Sequence, residues 1–114
     1  MNLNSPERLK ALVKEHQWSG GTLYLRKMTV LQWRDISKAR KDYVSDETDE
    51  IGGFRWAALA LSKQVCDESG ALTCDSDDGR EQFLGLSPEE LQSLLLAAHE
   101  WSGVWRPQEE QKKS

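Results

Sequence analysis

The chain of 114 residues is poor in the residue types that carry most catalytic and metal chemistry, with only two cysteines and two histidines. Two cysteines are too few for a disulfide scaffold, so a cytoplasmic protein is the default expectation. No apolar run approaches the roughly 18 residues that a membrane-spanning helix needs, and the first residues do not resemble a signal peptide. Three prolines and eight glycines exclude collagenous and low-complexity classes.

Catalytic and metal-binding motifs are missing as well. Cys66 and Cys74 are eight positions apart, whereas structural zinc sites usually separate paired cysteines by about two to four residues. His16 and His99 have no partner at a spacing typical of nucleophilic catalysis. The acidic stretch before Gly79 does not form an EF-hand loop, because a cysteine stands at its first ligand position. We therefore expect no enzymatic activity, no metal site and no cofactor.

Charge is distributed unevenly along the chain, although the net charge is only −4. Residues 1–44 hold nine Lys and Arg against four Asp and Glu, whereas residues 45–114 hold six against fifteen. A pI near 5.2 argues against binding nucleic acid over the whole surface. Solvated faces are the ordinary interpretation of this asymmetry. The sharper hypothesis is head-to-tail association, basic half to acidic half.

The first part of the chain predicts a helix followed by a strand. Ser5 supplies a helix cap and Pro6 the first helical position, and apolar residues follow at helical spacing. We predict that this helix runs to the Ser19-Gly20-Gly21 sequence, because glycine readily takes the positive φ of a helix end. Residues 21–28 predict a short strand, since their side chains alternate between two faces.

Two predicted helices flank an acidic connection in the middle of the chain. Thr29 and Gln32 form a capping box, and the helix that they begin runs to about Val44 with a strongly basic side. Residues 45–50 hold four acidic side chains and predict a solvated loop. Residues 51–65 are apolar on most sides, which is typical of a buried central helix.

The last part of the chain predicts a turn, a short helix and a long helix. Residues 66–74 predict a tight turn with a short return, or a two-stranded ribbon that joins the earlier strand. Residues 75–84 predict a short helix with acidic caps. Ser87 and Glu90 form a capping box for the final helix, which Gly103 ends.

These elements predict a mainly α fold: one small domain over residues 1–107, with about five helices and a short β-strand or hairpin element, an α-rich α+β arrangement. Residues 108–114 predict a disordered polar tail. The core is expected from apolar side chains at helical or strand spacing. The predicted core residues are Leu23, Leu25, Trp33, Ile36, Phe54, Trp56, Leu59, Leu61, Leu91, Leu94 and Leu95.

Tryptophan is abundant, with five in the chain. Trp18 and Trp105 stand at element ends beside serine, glycine or proline, where full burial is hard to achieve. Half-exposed tryptophans are favoured anchors at protein interfaces, and the alternative is that they cap the ends of a small core. We select as candidate protein-binding residues Trp18, Arg26, Trp101, Val104 and Trp105.

Several segments follow one another in a recognisable order. A strand that leads into a capped helix over residues 23–30 (LYLRKMTV) precedes the helical segment 55–62 (RWAALALS) and the turn 66–70 (CDESG). A short acidic helix and the capped, leucine-rich helix of residues 86–103 follow. This order and spacing resembles the tail assembly chaperone family of long-tailed bacteriophages, and the resemblance covers residues 22–103.

The resemblance implies a small, mainly helical, non-catalytic protein that is made in the infected cell and is absent from the finished virion. Such a protein binds the tape measure protein, a long helical chain of low solubility, until tail tube subunits polymerise around it. Further implied partners are the tail tube protein, a longer frameshifted form and a second copy, with no nucleic acid and no membrane. The implied location is the host cytoplasm. The alternative is a small regulatory adaptor or antitoxin-like binding module of bacterial or prophage origin.

Overall fold

The computed structural model describes residues 5–103, which form five helices and a three-stranded antiparallel sheet. The helices are α1 (Pro6–Ala11), α2 (Val30–Tyr43), α3 (Glu50–Ser62), α4 (Asp77–Phe83) and α5 (Pro88–Ser102). The strands are β1 (Val13–Trp18), β2 (Gly21–Arg26) and β3 (Val65–Cys66), in the order β1-β2-β3. The central strand β2 therefore pairs with both of the others.

The predicted mainly α fold class is wrong, because the three-stranded sheet makes this an α+β domain. The error lies in residues 13–18, where the sequence predicts the second half of the first helix. Helix α1 ends at Ala11, and β1 pairs antiparallel with β2 along its whole length. The two six-residue runs satisfy one another's backbone hydrogen bonds. Ser19 and Gly20 therefore connect a hairpin, and Gly21, the first residue of β2, has a φ of 121°, which glycine adopts readily.

Local capping groups begin the longer helices α2 and α5, and both predicted capping boxes are confirmed. The Thr29 hydroxyl accepts from the backbone N–H of Gln32 at 3.1 Å, and the Gln32 side chain accepts from the backbone N–H of Thr29 at 3.0 Å. Ser87 and Glu90 make the same reciprocal pair at 3.1 Å. Gly103 has a φ of 74° and ends α5 as predicted.

Helix α3 is central, because it packs against α2, α4 and α5. Of the predicted core, the structure buries Leu25, Ile36, Leu61, Leu91 and Leu94. It leaves half-buried Leu23, Trp33, Phe54, Trp56, Leu59 and Leu95. Small side chains complete the packing and let helices approach closely: Ala57, Ala58 and Ala98.

A buried polar junction ties the ends of α3 and α5 to the connection before α2. Gln64 is completely buried, and its carbonyl oxygen Oε1 accepts a hydrogen bond of 2.5 Å from the Ser102 hydroxyl. The backbone N–H of Met28 donates to the same hydroxyl oxygen at 3.0 Å. One hydroxyl group therefore satisfies two polar groups from distant parts of the chain.

Replacing Ser102 with alanine is expected to lower the free energy of unfolding by about 1–3 kcal/mol, because Gln64 and Met28 each lose this hydrogen-bond partner. Urea unfolding followed by circular dichroism measures the change. Ser93→Ala is the matched control, since Ser93 is an exposed serine in the same helix. Equal unfolding midpoints for the two variants would show that the junction adds no stability.

Candidate functional site

Two of the predicted protein-binding residues lie at opposite ends of the β1–β2 hairpin. Trp18, beside the turn, is half-buried and packs against the core. Arg26, at the other end, is half-buried, and its guanidinium donates to the Gly70 carbonyl at 2.9 Å. Both side chains therefore make intramolecular contacts that account for their positions.

Trp101 anchors the end of α5 to the junction of α1 and β1. Its indole N–H donates to the Leu12 carbonyl at 2.8 Å. The ammonium groups of Lys14 and Lys27 lie 5.7 Å and 4.6 Å from the centre of the Trp101 ring, within the range of cation–π attraction. The two remaining candidates lie outside the described residues: Val104 and Trp105.

A groove with a volume of about 810 Å³ lies over α3, between α2 and α5. Gly53, Phe54 and Ala57 of α3 line it, and their spacing places them on one face of that helix. Helix α5 forms one wall through residues that recur at helical spacing: Pro88, Gln92, Leu95, Leu96 and His99. We call this surface the α3 groove.

The apolar part of the α3 groove is held in place from below. Phe54 and Leu95 are half-buried and pack against the core. The Trp56 indole donates to the Ile36 carbonyl at 2.7 Å, and the Arg40 guanidinium lies 5.6 Å from the centre of the Trp56 ring. These contacts fix the aromatic groups, so the groove presents a largely preformed apolar surface.

The connection between α2 and α3 forms an acidic rim of the α3 groove. Asp49 holds this connection together, because its carboxylate accepts from the Ser45 N–H at 2.9 Å and hydroxyl at 3.0 Å, and from the Gly52 N–H at 2.9 Å. Asp46 accepts from the Thr48 N–H at 2.8 Å and hydroxyl at 2.6 Å. The other two rim carboxylates belong to exposed side chains, Glu47 and Glu50.

The hydrogen bonds at the rim also favour the ionised form of its two aspartates. The backbone N–H groups of Ser45 and Gly52, followed by the Ser45 hydroxyl, hold the pKa of Asp49 below its ordinary value. The Thr48 hydroxyl and N–H lower the pKa of Asp46 in the same way. Hydrogen bonds to a carboxylate favour its charged form, so Asp46 and Asp49 stay anionic well below neutral pH.

The lowered pKa of Asp49 predicts a loss of stability in acid. A carboxylate whose pKa is lower in the folded state stabilises the fold above the unfolded pKa, and this contribution is lost as the pH falls through the folded pKa. Asp49→Asn should therefore melt below wild type at pH 7, and the difference in Tm should shrink between about pH 5 and pH 2. Thermal unfolding at a series of pH values measures this. The exposed Glu47→Gln is the control, and a constant difference for Asp49→Asn would contradict the prediction.

Both cysteines are free thiols. Burial raises the pKa of Cys66 to about 11, which keeps this thiol protonated and unreactive. Across residues 5–103, no cluster of three or more His, Cys, Asp and Glu side chains is arranged to hold a metal ion. In the same range, no helix combines the length and apolarity required to cross a bilayer.

Comparisons of the chain with protein-family models, curated proteins and solved structures find no match.

Several residues of the α3 groove are predicted from sequence to lie in the core. Phe54, Trp56 and Leu95 are predicted core residues, yet they line the α3 groove and are only half-buried. Leu96, which the sequence analysis does not select, is 46% exposed on the groove wall. The sequence does contain one sign of this exposed surface. The apolar residues of α5 cover a broader part of the helix than a single buried stripe needs, so some of them must face outward.

Proposed function

We propose that this protein is a non-enzymatic chaperone that binds an apolar helical segment of another polypeptide in the α3 groove. The observation that carries the proposal is an open groove with fixed apolar side chains and an anionic rim. An amphipathic helix buries its apolar face in such a groove while its polar side remains in water. Exposed apolar surface of this kind is typical of proteins that bind other chains.

The shape of the groove supports a helical occupant. The lining residues of α3 and α5 each follow helical spacing, so the α3 surface forms the floor and the α5 surface one wall of an open channel. A third helix packs between two others through ridges of side chains that recur at this same spacing. Phe54 offers apolar contacts from the floor of the channel, and Leu96 offers them from its α5 wall.

The acidic rim suits a chaperone that carries exposed apolar groups. Carboxylates beside an apolar patch disfavour contact with acidic surfaces through like-charge repulsion. They also favour a client segment that has basic side chains beside its apolar face. The hydrogen bonds of the rim lower the pKa values of Asp46 and Asp49, so their charge persists into mildly acidic solution.

The client proposed from the family resemblance is the tape measure protein of a long-tailed bacteriophage. A long helical polypeptide of low solubility presents repeated apolar stripes, and each copy of this chaperone covers one stripe until tail tube subunits replace it. This role places the protein in the host cytoplasm during tail assembly and leaves it outside the finished virion. The proposed role requires only that the protein bind and release its client, without a chemical reaction.

Co-expression with the tape measure protein of the same phage tests the proposal. We expect the wild-type chain to keep the tape measure protein in the soluble fraction, and Leu96→Asp to reduce that fraction about tenfold, because a carboxylate on the groove wall opposes burial against an apolar helix. Ile51→Asp is the matched control, since Ile51 is 65% exposed on α3 and does not line the groove. Circular dichroism verifies the folding of both variants.

Two outcomes would contradict the proposal. In one, the tape measure protein is equally soluble without this chain. In the other, Leu96→Asp holds the tape measure protein as well as Ile51→Asp does, which would show that the groove is not the binding surface.

A further inference from the structure

Helix α2 exposes a stripe of apolar and basic side chains. Val30 and Leu31 are 84% and 61% exposed, although burial of such side chains is favourable. Arg34, Lys38 and Lys41 are also exposed and continue the stripe on successive turns. We call these five residues the α2 outer face.

The α2 outer face and the rim of the α3 groove carry opposite charges that the fold leaves unpaired. Within residues 5–103, Lys38 and Lys41 form no ion pair, whereas Arg34 pairs with its neighbour Asp35 at 3.0 Å. On the rim, Glu47 and Glu50 likewise form no ion pair in the described part of the chain. Opposite charges on two open surfaces steer them toward each other in solution.

We infer that the α2 outer face of one copy of this chain docks in the α3 groove of a second copy. Val30 and Leu31 then meet the apolar lining of the groove, and the lysines meet the carboxylates of its rim. This pairing satisfies both the exposed apolar groups and the unpaired charges on each surface.

A molecule does not make this contact with itself. Arg40 and Val44 of α2 line the groove of their own copy, and the outer face occupies other positions around the same helix. The occupant is therefore a second copy, and the two docked surfaces differ from each other. Such a head-to-tail contact repeats, producing a ring if the rotation closes and a filament if it does not.

The inference rests on the proposed function only in one respect: it assigns client binding and self-association to the same groove. Self-association covers the apolar groove in the free chaperone, and a client helix displaces the α2 outer face of the neighbouring copy. The oligomer is then the storage form, and the copy that holds client is released from its neighbour.

Paired charge reversals test the contact by sedimentation velocity of the full chain over a range of concentrations. Wild type should associate, and less strongly in high salt. Glu47→Lys with Glu50→Lys, and Lys38→Glu with Lys41→Glu, should each weaken association about tenfold or more, because like charges then face each other. An equimolar mixture of the two double variants should associate again, since each groove then faces an oppositely charged outer face.

The matched control is Arg8→Glu with Lys10→Glu, which reverses two exposed charges on α1, away from both surfaces, and should associate as wild type does. A second, charge-independent variant is Leu31→Asp, which should also weaken association. Circular dichroism checks that every variant is folded. The inference is overturned if wild type is monomeric at all concentrations, if neither reversal weakens association, or if the mixture of double variants stays monomeric.

The two proposals fail separately in these experiments. The Lys38→Glu, Lys41→Glu variant keeps its groove intact and should hold the tape measure protein at least as well as wild type. Client binding without self-association in wild type would refute only the head-to-tail contact. Self-association with the expected charge dependence, but no client binding, would refute only the chaperone role.

Discussion

Replacing Leu94 with alanine is expected to lower the free energy of unfolding by about 3 kcal/mol, because it removes a buried side chain and leaves a cavity. Leu94 is 2% exposed and belongs to the main core cluster between α5 and its neighbours. Leu96, two residues further along the same helix, is 46% exposed. Leu96→Ala should cost less than about 1 kcal/mol, since much of that side chain is already in water.

The two leucine variants form a matched pair, because both make the same chemical change within the interior of α5. Their difference in unfolding free energy therefore reports burial and cavity formation, with helix propensity cancelled. Urea unfolding measures both values. Under the proposed function, Leu96→Ala should weaken client binding while leaving the fold nearly intact. Equal losses of stability would contradict the distinction between core and groove on this helix.

Alanine substitutions at two adjacent glycines of α3 are expected to change stability in opposite directions. A Cβ at Gly52 would overlap the Tyr43 carbonyl oxygen and the Asp49 carboxylate, so Gly52→Ala should destabilise by about 2 kcal/mol. A Cβ at Gly53 meets no atom within 4 Å, so Gly53→Ala should stabilise by about 0.5–1 kcal/mol through the lower conformational entropy of the unfolded chain.

Gly52 has a second effect, because its N–H donates to the Asp49 carboxylate that shapes the groove rim. Gly52→Ala should therefore disturb the acidic rim as well as α3, and it should weaken self-association more than its loss of stability alone explains. Thermal unfolding gives the change in stability, and sedimentation velocity gives the change in association. A destabilised Gly53→Ala or an unchanged Gly52→Ala would show that the connection between α2 and α3 is packed differently.

The helix starts were predictable from sequence because their causes are local. Thr29 with Gln32 and Ser87 with Glu90 satisfy free backbone groups within one turn, so four residues contain the whole signal. The acidic connection at residues 45–50 was also visible in composition. Composition does not show that Asp49 caps α3 and accepts a hydrogen bond from Ser45. Both contacts depend on where the end of α2 places the chain, and residue types alone do not specify this.

The hairpin was not predictable from helix rules, because its cause is not local. Residues 13–18 contain apolar positions compatible with a helix, but β2 offers backbone partners along their whole length, beginning at Gly21 immediately after the turn. Strand β3, about forty residues later in the chain, pairs with the other edge of β2. Strand pairing between such segments outweighs the weak preference of a short segment for helix.

The amino-acid sequence by itself determined where α2 and α5 begin, where α5 ends and which segment would be strongly acidic, because these depend on contacts within a few residues. Only the tertiary structure decided that residues 13–18 extend a sheet, and that Phe54, Leu95 and Leu96 line a groove. The physical reason is that burial depends on which neighbouring elements cover a helix face. Helices α2 and α5 both pack on α3 and leave an open groove between them.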